Sequence, residues 1–208
     1  MKLFHIDASA RTEGSHSRKL SGHFVSALEE AVPDLEINRL DLGLSPLPHF
    51  GALETAAVAI PDADHTEDMR AAIAPSDALV ARLLACNALV IGTPIYNFGM
   101  PSTLKAFFDH VSRNGKTFIA DENGMRGSLQ EMKVAVLSAA GGAYGAGDMF
   151  EGCDMLTPHI RVILEFLGVE DLTFISARPM LFGGPAAAAQ SMEDARAAAR
   201  ALAARWAG

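Results

Sequence analysis

The chain has 208 residues, 50% hydrophobic and 20% charged, with a formal net charge of −8. Such a length suits one domain, or one domain with an insertion, and the composition supports a substantial core and argues against disorder. The acidic balance argues against a nucleic-acid phosphate backbone as the main partner.

Lys2 to Ala8 reads as a buried first strand, followed by the polar loop Ser9 to Ser15. From Ser17 a helix places Leu20, Phe24, Val25 and Leu28 on one face, and Leu35 to Leu42 alternates like a more exposed strand. Gly43 to Pro75 is the least regular region. Pro46, Pro48, Pro61 and Pro75 break it, with short helices expected over Gly51 to Ile60 and Thr66 to Ala74. Its length exceeds an ordinary connection, so it reads as an insertion that covers a site or makes an oligomer contact. Ser76 to Leu84 is helical. Ala88 to Gly92 is a strand apolar enough to be buried on both faces. Thr93 to Pro101 is a loop, and Ser102 is expected to cap a helix carrying Leu104, Phe107, Phe108 and Val111 on one stripe.

Asn114 to Gln130 has the glycines of a hairpin-like flap. Met132 to Ser138 is another buried strand, running into the glycine-rich turn Ala139 to Gly147. A helix over Leu156 to Leu167 ends at Gly168, Leu172 to Ala177 is the last strand, and Gln190 to Trp206 is the terminal helix. Strands alternating with helices predict a doubly wound five-stranded parallel sheet of flavodoxin-like order 2-1-3-4-5, in a single domain spanning 1–208 with the insertion at about 43–75.

In such a sheet, ligands bind at the carboxyl ends of the strands, where the loops after strands one and three diverge. Ser9, Ser15 and Ser17 flank a helix start there. A helix start offers free N–H groups and a positive dipole end, which hold a phosphate; the same serines also serve as ordinary caps. Arg11 or Arg18 is placed to assist, or is a solvated charge. In the second loop, Tyr96, Asn97 and Phe98 suit a flat heteroaromatic ligand, with rings to stack and an amide to read donors and acceptors.

Competing chemistries lack their motifs. No G-x-G-x-x-G follows the first strand, Gly115-Lys116-Thr117 lacks the preceding glycine of a Walker loop, and no G-x-S-x-G elbow occurs. The seven histidines are scattered without metal-ligand spacing. Cys86 and Cys153 have no paired spacing and read as reduced residues of a cytoplasmic protein. The opening MKLFHIDASA is interrupted by His5 and Asp7, unlike a signal peptide, and no charge-free apolar segment is long enough to span a bilayer.

Pro94-Ile95-Tyr96-Asn97-Phe98, the helix Leu104-Lys105-Ala106-Phe107-Phe108-Asp109, the spacing Ser9…Ser15-His16-Ser17, and the segments Gly115-Lys116-Thr117-Phe118 and Glu122-Asn123-Gly124 together resemble the FMN-dependent NADH:quinone oxidoreductase and azoreductase family, of flavodoxin-like fold. The resemblance covers nearly the whole chain. It implies that Ser9, Ser15, His16 and Ser17 take the ribityl phosphate of FMN. Pro94, Ile95, Tyr96, Asn97 and Phe98 would line the isoalloxazine, with Asn97 at its pyrimidine edge. Ala139, Ala140, Gly141 and Gly142 match the family's S-R-G-G turn, with Ala139 and Ala140 in place of its Ser and Arg. Tyr144 stands where many relatives have His, over the reacting face. Phe118 would join the substrate wall, across a dimer interface.

The implied activity is two-electron transfer from NADH or NADPH through bound FMN to a quinone or azo acceptor, with ping-pong kinetics and a homodimeric enzyme. Tyr144 or water would supply a proton or orient the acceptor. The alternative is a flavodoxin-like FMN electron carrier without nicotinamide turnover; the insertion and the flap suit an enclosed substrate site better than a bare electron-transfer edge. Neither nucleic acid nor membrane is an implied partner.

Overall fold

The computed structural model describes residues 1–208. Its elements in chain order are β1 (Lys2–Asp7), α1 (His16–Ala31), β2 (Glu36–Asp41), α2 (Ala52–Val58), a short 3-10 turn (Asp62–Asp64), α3 (Glu67–Leu84), β3 (Ala88–Pro94), α4 (Ser102–Val111), β4 (Phe118–Asp121), β5 (Gly124–Gly127), β6 (Lys133–Ala139), α5 (Leu156–Phe166), β7 (Leu172–Ala177) and α6 (Gly184–Ala207).

Successive side chains of a strand point to opposite faces; in β3 and β6 both sets are mainly apolar, whereas β1 puts Phe4 and Ile6 on one face and Leu3 on the other beside the buried His5 and the half-buried Asp7. They sort the core into two layers. Phe4, Ile6, Leu89, Ile91, Val134 and Val136 pack on one face with residues of α3, α4 and α5, including Leu79, Phe107 and Ile160. Leu3, Val90, Ala135 and Leu137 pack on the other with Leu20, Phe24 and Leu28 of α1 and the terminal helix. Ala195, Ala199 and Ala203, four residues apart on α6, are all buried. Small side chains at that spacing let α6 lie close to its neighbours, and Trp206 closes the layer edge-on against Phe24 at 5.2 Å.

The five-stranded sheet is parallel throughout, in the order β2-β1-β3-β6-β7. Counted over all strands, the order is thus 2-1-3-6-7 rather than the expected 2-1-3-4-5, because β4 and β5 intervene in the chain as a separate antiparallel hairpin, the expected flap. The strands end level: Ala8 N–H donates to Gly92 (2.8 Å), Ile95 N–H to Ala139 (3.0 Å) and Ala140 N–H to Ala177 (3.2 Å). This brings the loops after β1, β3, β6 and β7 to one edge.

Three local expectations are corrected. The sequence pattern predicts that Pro75 kinks or ends a helix, but α3 runs on through it. Pro75 is exposed, so the carbonyl it leaves unpaired faces water, while Ile73, Ser76, Leu79, Val80 and Leu83 hold the buried face. The irregular stretch therefore ends near 66, not 75. Ser102 is not a cap; Pro101 holds that position with extended geometry, and Ser102 is the first helical residue. Finally, α6 begins at Gly184, with Pro185 in its first turn, where a missing N–H breaks no helical bond.

Candidate active site

A cleft of about 230 Å³ opens at the level strand ends, and residues from four loops line it. From the first come Ser9, Arg11, Ser15, His16 and Ser17. Ser15 is the N-cap of α1, its hydroxyl accepting from the Arg18 N–H at 3.4 Å, and it also meets the Ser17 hydroxyl at 3.3 Å. Capping and lining the cleft are thus one arrangement, not alternatives. The N–H groups of His16 and Ser17 lie in the first helical turn, where no intrahelical acceptor exists. That turn carries no acidic side chain. Ser9, Ser15 and Ser17 are all buried. Burial lowers the His16 imidazole below its usual value, and Lys19 and Arg11 lower it further. The ring is therefore neutral at neutral pH, and Arg11 is the full positive charge on this wall.

The loop after β3 supplies Pro94, Ile95 and Tyr96. Tyr96 and Gly99 exchange backbone hydrogen bonds of 2.9 and 3.0 Å, closing a tight turn with Asn97 and Phe98 at its tip. Both tip residues have positive φ, 46° and 72°, the pattern of a type I′ turn. Asn tolerates this region, whereas Phe does so at a cost of order 1 kcal/mol. Phe98 is held there by its carbonyl, which accepts from Met155 N–H at 2.9 Å, and by edge contact of its ring with Phe150 at 5.7 Å.

The loop after β6 contributes Ala139, Ala140 and Gly141, and the exit from β7 contributes Met180 and Leu181. These two segments run side by side: Met180 N–H donates to Ala140 (2.8 Å), and Leu181 and Phe182 both donate to Gly141 (3.1 and 3.0 Å). Gly142 lies under Phe150, where a Cβ would come within 2.5 Å of the ring. Phe150 is the hub of an aromatic group, stacked with Tyr144 at 5.6 Å and tilted against Phe182 at 5.8 Å. Behind Tyr144, the Arg178 guanidinium lies 5.9 Å from the ring centre and pairs with Asp154 at 2.8 Å. Burial would raise the Asp154 carboxyl, but the Thr157 N–H, Arg178 and the Thr157 hydroxyl together hold it below the usual carboxylate value. Burial, then Asp154, raises the Tyr144 phenol, so it stays protonated at neutral pH.

Comparison with known proteins places this geometry. The FMN-dependent NADH:quinone oxidoreductase of Nostoc punctiforme is 39% identical over 206 residues, covering 99% of this chain and all of that one. FMN-dependent NADH:quinone oxidoreductase 3 of Pseudomonas aeruginosa is 40% identical over 178 residues, 86% of this chain and 82% of that one. A family model described as flavodoxin-like fold matches residues 1–203. The chain belongs to the flavodoxin-like family of FMN-dependent NADH:quinone oxidoreductases. A solved azoreductase from Bacillus anthracis superposes with a TM-score of 0.90 at 26% identity, covering 99% of both chains.

The cleft suits the ligand in the relatives' name. Three buried hydroxyls, a helix start and Arg11 make a donor set for a phosphate, and no carboxylate lines the wall. Pro94, Ile95, Ala139, Ala140, Met180 and Leu181 give the remainder an apolar lining.

Of the residues expected at the flavin site, Ser9, Ser15, His16, Ser17, Pro94, Ile95, Tyr96, Ala139, Ala140 and Gly141 line the cleft; Asn97, Phe98 and Gly142 do not. Asn97 and Phe98 sit exposed on the turn tip beyond Tyr96, and Gly142 is buried under Phe150. Tyr144 belongs to the Phe150 cluster. Phe118 packs on Phe166 at 4.8 Å and on the core, and within one chain it does not reach the cleft wall. Gly115-Lys116-Thr117 is no phosphate loop: Lys116 pairs with Asp77 and Asp62 at 2.7 and 3.1 Å, and the buried Thr117 hydroxyl donates to Val111. Sequence reasoning missed Met180, Leu181 and Phe150. The apolar run Met180-Leu181-Phe182, separated from the last strand by two residues, is the signal that could have found the first two.

Proposed function

We propose that the chain is an FMN-dependent NAD(P)H:quinone oxidoreductase that also takes azo compounds, working as one domain over 1–208. The observation that carries this is the cleft itself, where a phosphate-type donor set and an apolar slot lie end to end at the carboxyl ends of β1, β3 and β6. Ser9, Ser15, His16 and Ser17 bind the ribityl phosphate through hydroxyls and helix-start N–H groups. Pro94, Ile95 and Tyr96 would pack one side of the ring system and Ala139 to Gly141 its edge, with Gly142 behind them under Phe150 and Asn97 reaching toward the pyrimidine edge from the turn tip. FMN held there would supply the two-electron chemistry between NADH or NADPH and the acceptor.

The protein's own contribution is binding, orientation and exclusion of water. Tyr144, protonated and held by the Phe150 stack, orients the acceptor or yields a proton to it. Nicotinamide and acceptor would enter the same pocket in turn, which would give ping-pong kinetics. Exposed Leu44, Met125, Met149, Leu181 and Phe182 leave apolar surface for a second subunit. We place the enzyme as a C2 homodimer, with Phe118 in the partner's substrate wall. No helix is long and apolar enough to cross a membrane, and both cysteines are free thiols. We place the protein as a cytoplasmic enzyme acting on small molecules.

Purified protein reconstituted with FMN should oxidise NADH steadily only when quinone is added. A protein that takes up FMN but shows no quinone-dependent turnover would instead be the electron carrier. A chain that does not take up FMN at all would overturn both.

A further inference from the structure

Arg18 does not line the cleft, yet it holds more of the first loop than any residue that does. It projects from the first turn of α1. Its Nη2 donates to the Ser9 carbonyl at 2.6 Å and its Nε to the Arg11 carbonyl at 2.9 Å. The other side of the fork is bidentate on Asp41, at 2.5 and 2.7 Å. Asp41, at the end of β2, is fixed in turn by the N–H groups of Gly43 (2.9 Å) and Leu44 (3.1 Å). Gly43 lies against the loop so closely that a Cβ would overlap the Ser9 carbonyl and come within 2.7 Å of Arg18 Nη2. The start of the 43–66 stretch, the end of β2 and the loop after β1 are thus locked as one piece.

The consequence concerns direction. A peptide loop around an anion must turn its carbonyl oxygens away and its N–H groups and hydroxyls inward, because a carbonyl dipole aimed at a phosphate repels it. Arg18 takes up two of the loop's carbonyls on the side away from the cleft. Meanwhile the Ser9 hydroxyl, accepting from Arg11 N–H at 3.2 Å, stays on the cleft wall. The guanidinium charge is matched by Asp41, with Asp7 a further 3.8 Å neighbour, so Arg18 works through geometry more than through net attraction.

We propose that Arg18 and Asp41 form a positioning pair that sets the inward orientation of the Ser9–Ser15 loop, and so its affinity for the phosphate end of the flavin. This rests on the reading of that loop as the phosphate cradle. The pair is ionised across the ordinary pH range: the hydrogen bonds from Arg18 hold the Asp41 carboxyl below its usual value, and Asp41 raises Arg18.

The test compares two ligands that differ only in the phosphate. Apoprotein is titrated with FMN and with riboflavin, following quenching of flavin fluorescence, for the wild type, Arg18→Gln, Arg18→Lys and Asp41→Asn. Thermal unfolding of each apoprotein is measured alongside. The wild type should bind FMN much more tightly than riboflavin. Arg18→Gln should weaken FMN tenfold or more and riboflavin less than twofold, collapsing the ratio. Lys is a point charge that cannot bridge two carbonyls and a carboxylate, so Arg18→Lys should not restore the ratio. Asp41→Asn keeps the arginine but loosens its seat, and should weaken FMN about threefold. Should Arg18→Gln not fold, the Lys and Asn variants carry the same comparison. FMN and riboflavin affinities that fall together would make the pair a general strut and overturn the proposal, as would an unchanged FMN affinity in the variants. A wild type that does not distinguish FMN from riboflavin would fail earlier, removing the phosphate cradle and the pair with it.

Discussion

The hydroxyls of Ser9 and Tyr96 meet at 3.3 Å, joining the loop after β1 to the loop after β3 across the point where the strand order reverses. One loop is the proposed phosphate cradle and the other a wall of the ring slot, so this contact fixes the distance between the two ends of one ligand. Removing it with Tyr96→Phe keeps the ring and its packing. A hydrogen bond of this kind is worth about 0.5–1.5 kcal/mol net, so FMN affinity should fall roughly two- to tenfold. Titration of the apoprotein checks this, and an unchanged dissociation constant would mean that the contact positions nothing.

Ser17 offers a sharper probe of the cradle. Its hydroxyl is buried beside that of Ser15 in the first turn of α1. Alanine there favours the helix and fills the same backbone position, so the apoprotein should melt within a few degrees of the wild type. A hydrogen bond to a charged group is worth about 1.5–3 kcal/mol, so Ser17→Ala should lose FMN affinity about tenfold or more. Equal affinity would reduce Ser17 to a helix residue.

Asp154 gives a pH prediction. Its carboxylate accepts from the N–H groups of Leu156 and Thr157 at 3.0 and 2.9 Å and pairs with Arg178. A carboxyl held low in the folded state stabilises the fold fully above its unfolded pKa of about 3.9, and that gain is lost as pH falls through the folded value. Asn can still accept from the same N–H groups, so Asp154→Asn removes chiefly the ion pair. The wild type should exceed the variant by about 1 kcal/mol at pH 7, a figure held down by partial exposure. The gap should close below about pH 4. Denaturant unfolding at several pH values tests it; a gap independent of pH would show that charge is not involved.

The sheet and the serine-lined wall of the cleft were legible in the sequence because each rests on local pattern. Buried strands such as Ala88–Pro94 are continuous apolar runs, and Ser15 is marked as a cap by the helix that follows it. What stayed hidden depends on contacts distant in the chain. Nothing local shows that α3 survives Pro75, since that follows from which side of the helix faces water. The positive φ of Phe98 is likewise fixed by a hydrogen bond from Met155, 57 positions onward. Phe150 becomes the hub of the aromatic group only when three separate segments meet, the loops after β3, β6 and β7. Arg18 looks like any helical arginine until Asp41 is brought against it by the pairing of β1 with β2.

Tyr144 is the residue on which the acceptor reaction should turn. Its backbone sits at a φ of 63°, which a bulky side chain adopts only at a cost, so the surrounding contacts must hold it there. Those contacts are the stack on Phe150, the Arg178 guanidinium 5.9 Å from the ring centre, and the Tyr144 N–H donating to Asp148 Oδ1 at 3.4 Å. They act on the ring and the backbone, not on the hydroxyl. Tyr144→Phe should therefore keep the loop, the FMN affinity and the nicotinamide-consuming half of the cycle, and lose only the protonated phenol that we propose acts on the acceptor. Loss of an orienting hydrogen bond slows a step about tenfold and loss of a general acid about a hundredfold or more, so the quinone-consuming half should slow at least about tenfold. The slowing should be greatest for acceptors whose oxygen needs a proton as it is reduced. Stopped-flow measurement of each half separately, over several quinones, decides it. Equal acceptor rates in the wild type and Tyr144→Phe would leave Tyr144 as an anchor of its loop. A matching fall in the nicotinamide half would place its role in shaping the shared pocket instead.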